Sequence, residues 1–291
     1  MAVIGTPEVE VTDFAVPRST LRPVSTPRAP LEPDLLHTLA ADRWARIEVV
    51  AEVASTNAAL MADEHAPDRS VLVAEHQSAG RGRLDRSWES PPGAGLTFSV
   101  LLRPSAPLLT WGWLPLLAGV ALHDAVAATV GVATALKWPN DLLAGAGVER
   151  SAYGKVAGIL AQTSGDAVII GVGLNVSTAA DELPFPGATS LTLSGARAVD
   201  RTALLAAILA ALDRRYSQWS DVDGDAEACG LTEAYRDACA TIGQQVRVSG
   251  TDAEVVVGRA VDIDAGGRLR LDVDGVERSI GAGDVEHLRP A

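Results

Sequence analysis

The order of apolar and polar positions along the chain predicts an α+β domain followed by a smaller, all-β one. Residues 33–44 place Leu35, Leu36, Leu39 and Trp44 at helical spacing behind a proline, and 47–53 reads as a strand. Ser55-Thr56-Asn57 stands before a second helical stretch, where its side chains can cap the first amides. Residues 70–74 and 95–102 are short apolar strands holding the two ends of a polar loop. Few polar residues interrupt 114–130, which predicts a buried helix with His123 on its face. Residues 135–143 read as two strand pieces broken by Pro139, with Asn140-Asp141 at the turn, and 144–154 as a Gly- and Ala-containing loop. Buried strands at 155–163 and 167–176 flank Gly165-Asp166 and predict a hairpin. Amphipathic helices follow at 203–219 and 227–240.

From Gln245 onward, valine-rich runs alternate with glycine turns about every ten residues, the pattern of a small barrel of about five strands. A boundary near residue 241 separates a domain at 33–240 from one at 241–291. Residues 1–32 are expected to be a disordered extension, since Pro7, Pro17, Pro23, Pro27 and Pro30 fall in a stretch with no sustained period.

Composition narrows the function. With 291 residues, 47% of them hydrophobic and 21% charged, the chain is an ordinary globular protein of about two domains. A net charge of −13 argues against a general nucleic-acid binder, which needs a basic face. Cys229 and Cys239 are the only cysteines, so a disulfide framework and a cysteine metal site are both disfavoured. No apolar run approaches about 18 residues and no basic-then-apolar leader opens the chain, so a soluble, cytoplasmic protein is expected. Of 24 Lys plus Arg, only Lys137 and Lys155 are lysine, which marks both for tasks that need a compact ammonium.

The local chemistry concentrates in the loop after 70–74. Gly80 and Gly82 permit close ligand approach, while Arg81, Arg83 and Arg86 offer planar donor forks suited to phosphate or carboxylate. Read alone, the loop is either an anion site or a solvated basic surface. Ser55, Thr56 and Asn57 either cap their helix or hydrogen-bond a polar ligand head, or do both.

Five blocks in fixed order decide between these readings: Ser55-Thr56-Asn57; AEHQ-x-AGRGR-xx-R-x-W at 74–88; KWPNDLL at 137–143; GKVAGIL at 154–160; GVGLNV at 171–176. Together they resemble the biotin protein ligases, and the similarity extends through the C-terminal barrel. The resemblance implies a catalytic domain related to class II aminoacyl-tRNA synthetases, with a mixed sheet and flanking helices, and an SH3-like C-terminal domain. It implies activation of biotin by MgATP to biotinyl-5′-AMP and transfer to a lysine of a biotin carboxyl carrier domain, with no tightly bound prosthetic group.

By the same resemblance, Ser55, Thr56, Asn57 and Gln77 hold the ureido head of biotin and Trp88 lines the thiophane pocket. Arg81, Gly82 and Arg83 close over the carboxylate and phosphate, with the glycines as hinges that leave the loop disordered until ligand arrives. Lys155 is the essential lysine, also beside biotin, and Asp141 orients it. Arg83, Arg86, Asn140 and Asn175 face the nucleotide. Lys137, Trp138 and Pro139 shape the turn.

Asp85 departs from the glycine common in this loop, and 144–154 is longer than the usual turn. About 30 residues ahead of the first helix are too few for the DNA-binding domain of the family's repressors, so no DNA partner is expected. A monomer or weak dimer without membrane association is expected. The rivals are a lipoate ligase on the same fold and a non-catalytic biotin sensor.

Overall fold

The structure, a computed structural model, describes residues 28–40, 42–84, 86–145, 147, 152–250 and 255–288. Most of the expected N-terminal extension, Asp85 and much of the loop after Gly145 lie outside the described residues. The larger unit runs α1 (Pro33–Ala40), β1 (Arg46–Val53), α2 (Thr56–Ala62), β2 (Ser70–Gln77), β3 (Gly95–Leu102), a 3-10 turn (Leu108–Trp113) and α3 (Leu114–Val130). It continues with β4 (Thr134–Lys137), β5 (Asp141–Ala144), β6 (Gly154–Ser164), β7 (Ala167–Asn175), α4 (Arg201–Ser220) and α5 (Leu231–Ala238). Seven strands form one sheet in the order β1-β2-β3-β7-β6-β5-β4, with β1 and β2 parallel and every other neighbour antiparallel. This is the mixed sheet with flanking helices that the resemblance implies.

Strand alternation assigns the two faces. Leu96, Phe98, Val100 and Leu102 of β3, with Val168, Ile170, Val172 and Leu174 of β7, point into the main core, which also holds the buried faces of α3 and α4. The intervening residues face the other way. There Leu101 and Ile169 pack with Leu60 of α2 in a small second cluster, while Thr97, Ser99, Gly171, Gly173 and Asn175 form an open, small-residue floor.

Three expectations change. Residues 28–32 belong to the packed body: Leu31 is buried, its amide donates to Glu75 at 2.5 Å, and the Glu32 amide donates to Thr202. Leu108–Val130 is long and apolar enough by composition to cross a membrane, which the count of apolar runs missed. Its buried residues, Leu117, Val120 and Ala121 among them, pack in the main core with residues of the sheet and α4, as in the core helix of a globular domain. The second late helix is also shorter than its pattern. It opens after Gly230 in the left-handed region (φ 71°) and stops at Cys239, which turns extended and bridges to Leu136.

The C-terminal unit is a five-stranded antiparallel sheet: β8 (Gln245–Ser249), β9 (Val255–Ile263), β10 (Leu269–Val273), β11 (Val276–Ile280) and β12 (Asp284–His287), in the order β11-β10-β9-β8-β12. Its β9–β10 turn is clamped to the larger unit by two buried tryptophans. Trp113 Nε1 donates to the Ala265 carbonyl at 3.0 Å and Trp138 Nε1 to the Gly267 carbonyl at 3.2 Å. Each indole thus fills apolar space and has its one donor satisfied. Trp138 precedes Pro139 through a cis peptide bond. Through the bond from Trp138 to Gly267, the KWPND turn helps seat the second sheet as well as shaping its own hairpin.

Candidate active site

Every residue to which the resemblance assigns contact with biotin or the nucleotide, with Lys155 and Asp141, lines one cleft of about 1020 Å³, floored by the small-residue face of the large sheet and closed on one side by β12. Its two ends are built differently.

At the first end, Ser55 caps α2, its Oγ accepting from the Ala58 amide at 3.3 Å. The two residues after it are buried in a polar cluster. The Thr56 amide donates to Gln77 Oε1 at 2.7 Å, and the Thr56 hydroxyl lies 3.0 Å from the same oxygen. That pins the Gln77 carbonyl inward and leaves its NH₂ on the other side. Asn57 is held more tightly, since its Nδ2 donates to the Leu160 carbonyl (3.2 Å) and to Gln162 Oε1 (2.8 Å). Ser99 and Gln162 belong to this cluster and carry no motif. A small polar residue alternating with Phe98 and Val100 is the only sequence signal for Ser99. Gly171, opposite Ser99 in the ladder, leaves the space that the Asn57 amide fills; a Cβ there would clash with Oδ1.

Glycines also seat the indole of Trp88. It lies against Gly173 and Gly158, which face each other in the β6–β7 ladder, and a Cβ on Gly173 would overlap the ring. The arginine loop is a small hairpin, in which the Trp88 amide donates to the Gly80 carbonyl at 2.9 Å and the Gly82 amide to the Arg86 carbonyl at 2.6 Å. Gly80 is required for space, because a Cβ would meet the Trp88 carbonyl and sit 2.7 Å from Gln77 Nε2. The left-handed residue at the tip is Leu84 (φ 53°), not a glycine. The structure thus holds these residues in a paired turn rather than as an unpaired hinge.

At the second end are the charges. Lys155 Nζ is 2.6 Å from Asp141 Oδ1, both side chains largely shielded. Strict alternation would have sent Lys155 to the core side with Ala157 and Ile159. A bulge prevents it: Leu142 faces Ala157 while Leu143 faces Lys155, so Val156 is an extra residue and Lys155 shifts to the cleft side beside Gly158. Arg83 donates to Asn140 Oδ1 at 3.2 Å, and Asn140 Nδ2 donates to the Ile159 carbonyl at 2.9 Å. Burial draws the Arg83 pKa down, against the pull of Asp284 and Asp141 and with the repulsion of Arg86. Arg86 is exposed and paired with Asp284 of β12, while Arg81 is exposed with no ion pair to a described residue. Asn175 Nδ2 is turned to the Thr189 carbonyl at 3.0 Å. His287 of β12 closes this end, 3.1 Å from Thr241 Oγ1, its pKa lowered to about 4 by burial and by nearby Lys137.

Residues 49–175 match the biotin/lipoate A/B protein ligase family, and residues 241–288 match the biotin protein ligase C terminal domain. A biotin--[acetyl-CoA-carboxylase] ligase of Mycobacterium tuberculosis is 44% identical over 253 residues, covering 84% of this chain and 90% of that protein. The chain belongs to the biotin protein ligase family. The bifunctional ligase/repressor BirA of Bacillus subtilis is 32% identical over 78% of this chain and 68% of its own length. Among solved structures, the biotin protein ligase of Aquifex aeolicus in complex with biotin and ATP superposes with a TM-score of 0.70 at 26% identity, covering 85% of this chain and all of that one.

Proposed function

We propose that this ligase performs both half-reactions in the cleft, with the amide-rich end holding the ureido ring of biotin and the cationic end its carboxylate and the nucleotide. The observation that carries the reading is the Lys155–Asp141 pair at 2.6 Å, brought to the cleft face by the β6 bulge. In the first step a carboxylate oxygen of biotin attacks the α-phosphorus of ATP, and the bond to pyrophosphate breaks. Two anions approach each other, so catalysis consists of positioning and charge compensation. Lys155 supplies the compact cation and Asp141 fixes its ammonium. Arg83, oriented by Asn140, and Arg81 screen the phosphate. Trp88 forms the apolar wall for the thiophane ring, and Arg86 reaches the nucleotide once released from Asp284. Mg²⁺ enters on the nucleotide as part of the substrate.

In the second step the amine of a carrier-domain lysine attacks the carbonyl of the mixed anhydride and AMP leaves. The acceptor is a biotin carboxyl carrier domain. A reducing, cytoplasmic setting is in keeping with the free thiols of Cys229 and Cys239. In this reading 33–240, together with the packed residues 28–32, is the catalytic domain and 241–291 an accessory one, and the enzyme acts without DNA as a monomer or weak dimer. Incubating the protein with a carrier domain, MgATP and either biotin or lipoate, followed by intact-mass spectrometry, tests the assignment. Addition of a biotinyl group alone is expected; a lipoyl adduct, or no adduct, would refute it.

A further inference from the structure

Residues 28–32 form a short strap ahead of α1 that ties several segments of the larger unit together. Arg201, buried at the start of α4, donates to the Ala29 carbonyl at 2.7 Å and to the Gly95 carbonyl at 3.0 Å, and pairs with Glu75 at 2.8 Å. The other Glu75 oxygen accepts the Leu31 amide, and the Thr202 hydroxyl accepts the Glu32 amide at 3.1 Å. The strap is thereby fixed on the end of β2, the start of β3 and the first turn of α4. None of these groups lines the cleft.

Arg28 extends this anchorage to the loop after β7. Its Nη2 donates to Glu182 Oε2 at 2.5 Å and to the Ser177 carbonyl at 3.4 Å, and both partners of the ion pair are largely shielded. The same Glu182 oxygen accepts the Ala179 amide at 2.9 Å, and with Arg28 this amide holds the carboxyl below the usual range. Beyond Glu182 the loop returns to the cleft, which Pro184, Phe185 and Gly187 line. There the Gly187 carbonyl accepts the Lys155 amide at 2.8 Å, and the Thr189 amide donates to the Lys155 carbonyl at 2.9 Å. The backbone of Lys155 therefore leans on a wall whose outer turn is held by Arg28.

We infer that Arg28 is a positioning residue for the nucleotide side of the cleft: through Glu182 it fixes the wall at 182–188, so a segment ahead of the first helix sets the affinity for ATP. Residues 179–187 contain no helix or strand, and their internal backbone bonds are local turns, from Glu182 to Ala179 and from Ala188 to Phe185. A loop of that kind opens at low cost unless a contact from elsewhere holds it. The Arg28–Glu182 pair is such a contact, charge-assisted and joining residues 154 apart in the chain. Its reach is selective, because the ureido end is bonded to α2, β2 and β6 and not to this loop. The inference deepens the proposed function and rests on its placing the nucleotide at the cationic end.

Steady-state kinetics of biotin-dependent exchange of pyrophosphate into ATP, run on the full chain, test this. Arg28→Ala is expected to raise the KM for ATP about tenfold, the scale of one charge-assisted hydrogen bond, and to leave the KM for biotin within about twofold. Glu182→Gln is expected to act in the same direction, and Arg28→Lys, which keeps the charge, to restore most of the affinity. The double variant Arg28→Ala/Glu182→Gln is expected to be no worse than Arg28→Ala, since both changes break one contact. Unfolding midpoints of each variant separate a positioning effect from a folding defect, and if Arg28→Ala does not fold, Glu182→Gln and Arg28→Lys carry the test. An unchanged KM for ATP in folded variants, an equal rise in both KM values, or additive effects in the double variant would overturn the role of Arg28. Failure of the wild type to exchange pyrophosphate when biotin is supplied would instead overturn the proposed function.

Discussion

The two ends of the cleft contrast in how much of their geometry exists before ligand. At the ureido end, Thr56, Asn57 and Ser99 are buried and joined by hydrogen bonds to β2 and β6. At the cationic end, Arg81 and Arg86 are exposed, and the loop carrying them is held by a few backbone bonds and the pair to Asp284. Neutral donors and acceptors must be correctly placed beforehand to discriminate, because an unmet buried partner is what penalises the wrong ligand. Cationic side chains work over longer distances and stay charged and solvent-exposed when idle, so they can close after the anion arrives. Lys155 and Arg83 are the exceptions at this end, Lys155 being shielded and fixed by Asp141 and Arg83 half-buried and bonded to Asn140.

That contrast can be broken in order of expected effect. Lys155→Ala removes the cation fixed by Asp141 and is expected to lower the rate of pyrophosphate release by roughly 10²–10³-fold or more, with the unfolding midpoint little changed. An unaltered rate would remove Lys155 from the chemistry. Arg81→Ala leaves the ureido end intact but weakens the closure. Free biotinyl-AMP is then expected to appear about tenfold faster, one charge-assisted hydrogen bond's worth, when followed by chromatography without carrier protein.

His287 probes the seam with the C-terminal sheet. Its folded pKa of about 4 lies below the ordinary histidine value near 6.5, so folding favours the neutral ring. The stability it contributes is complete above pH 6.5 and is lost as pH falls from there toward 4. The loss amounts to about 2 kcal/mol or less for a ring partly screened by solvent. Urea midpoints for wild type and His287→Gln across this range should converge at low pH, and parallel curves would exclude the effect. Arg86→Ala is the mildest change, because its pair with Asp284 is exposed. A stability difference of about 1 kcal/mol or less is expected, and a larger one would mean that the loop is structurally welded to β12.

How far the sequence made this legible follows the same division. The strand and helix order was readable because apolar periodicity is local, and the Lys155 and Asp141 positions were readable from their motif blocks. The bulge at Val156 was not, since it depends on which residue of β5 faces which residue of β6. Ser99 and Gln162 were missed for a related reason, as their partner Asn57 is distant in sequence. The arginine-loop glycines read as hinges, yet Gly80 serves close packing against Trp88 and Leu84 takes the left-handed turn. Packing constraints of this kind come from other elements and leave little trace in local pattern. The partner of Arg86 lay in the second sheet, where no motif pointed.

Amide hydrogen exchange with and without a non-hydrolysable biotinyl-AMP analogue tests the central claim most directly, that one end is prebuilt and the other closes on the ligand. Amides of 79–88 are expected to exchange at least about tenfold more slowly with the analogue bound, while those of 55–60 and 96–101 are already protected and change little. Equal gains in protection at both ends, or no gain at 79–88, would contradict the account.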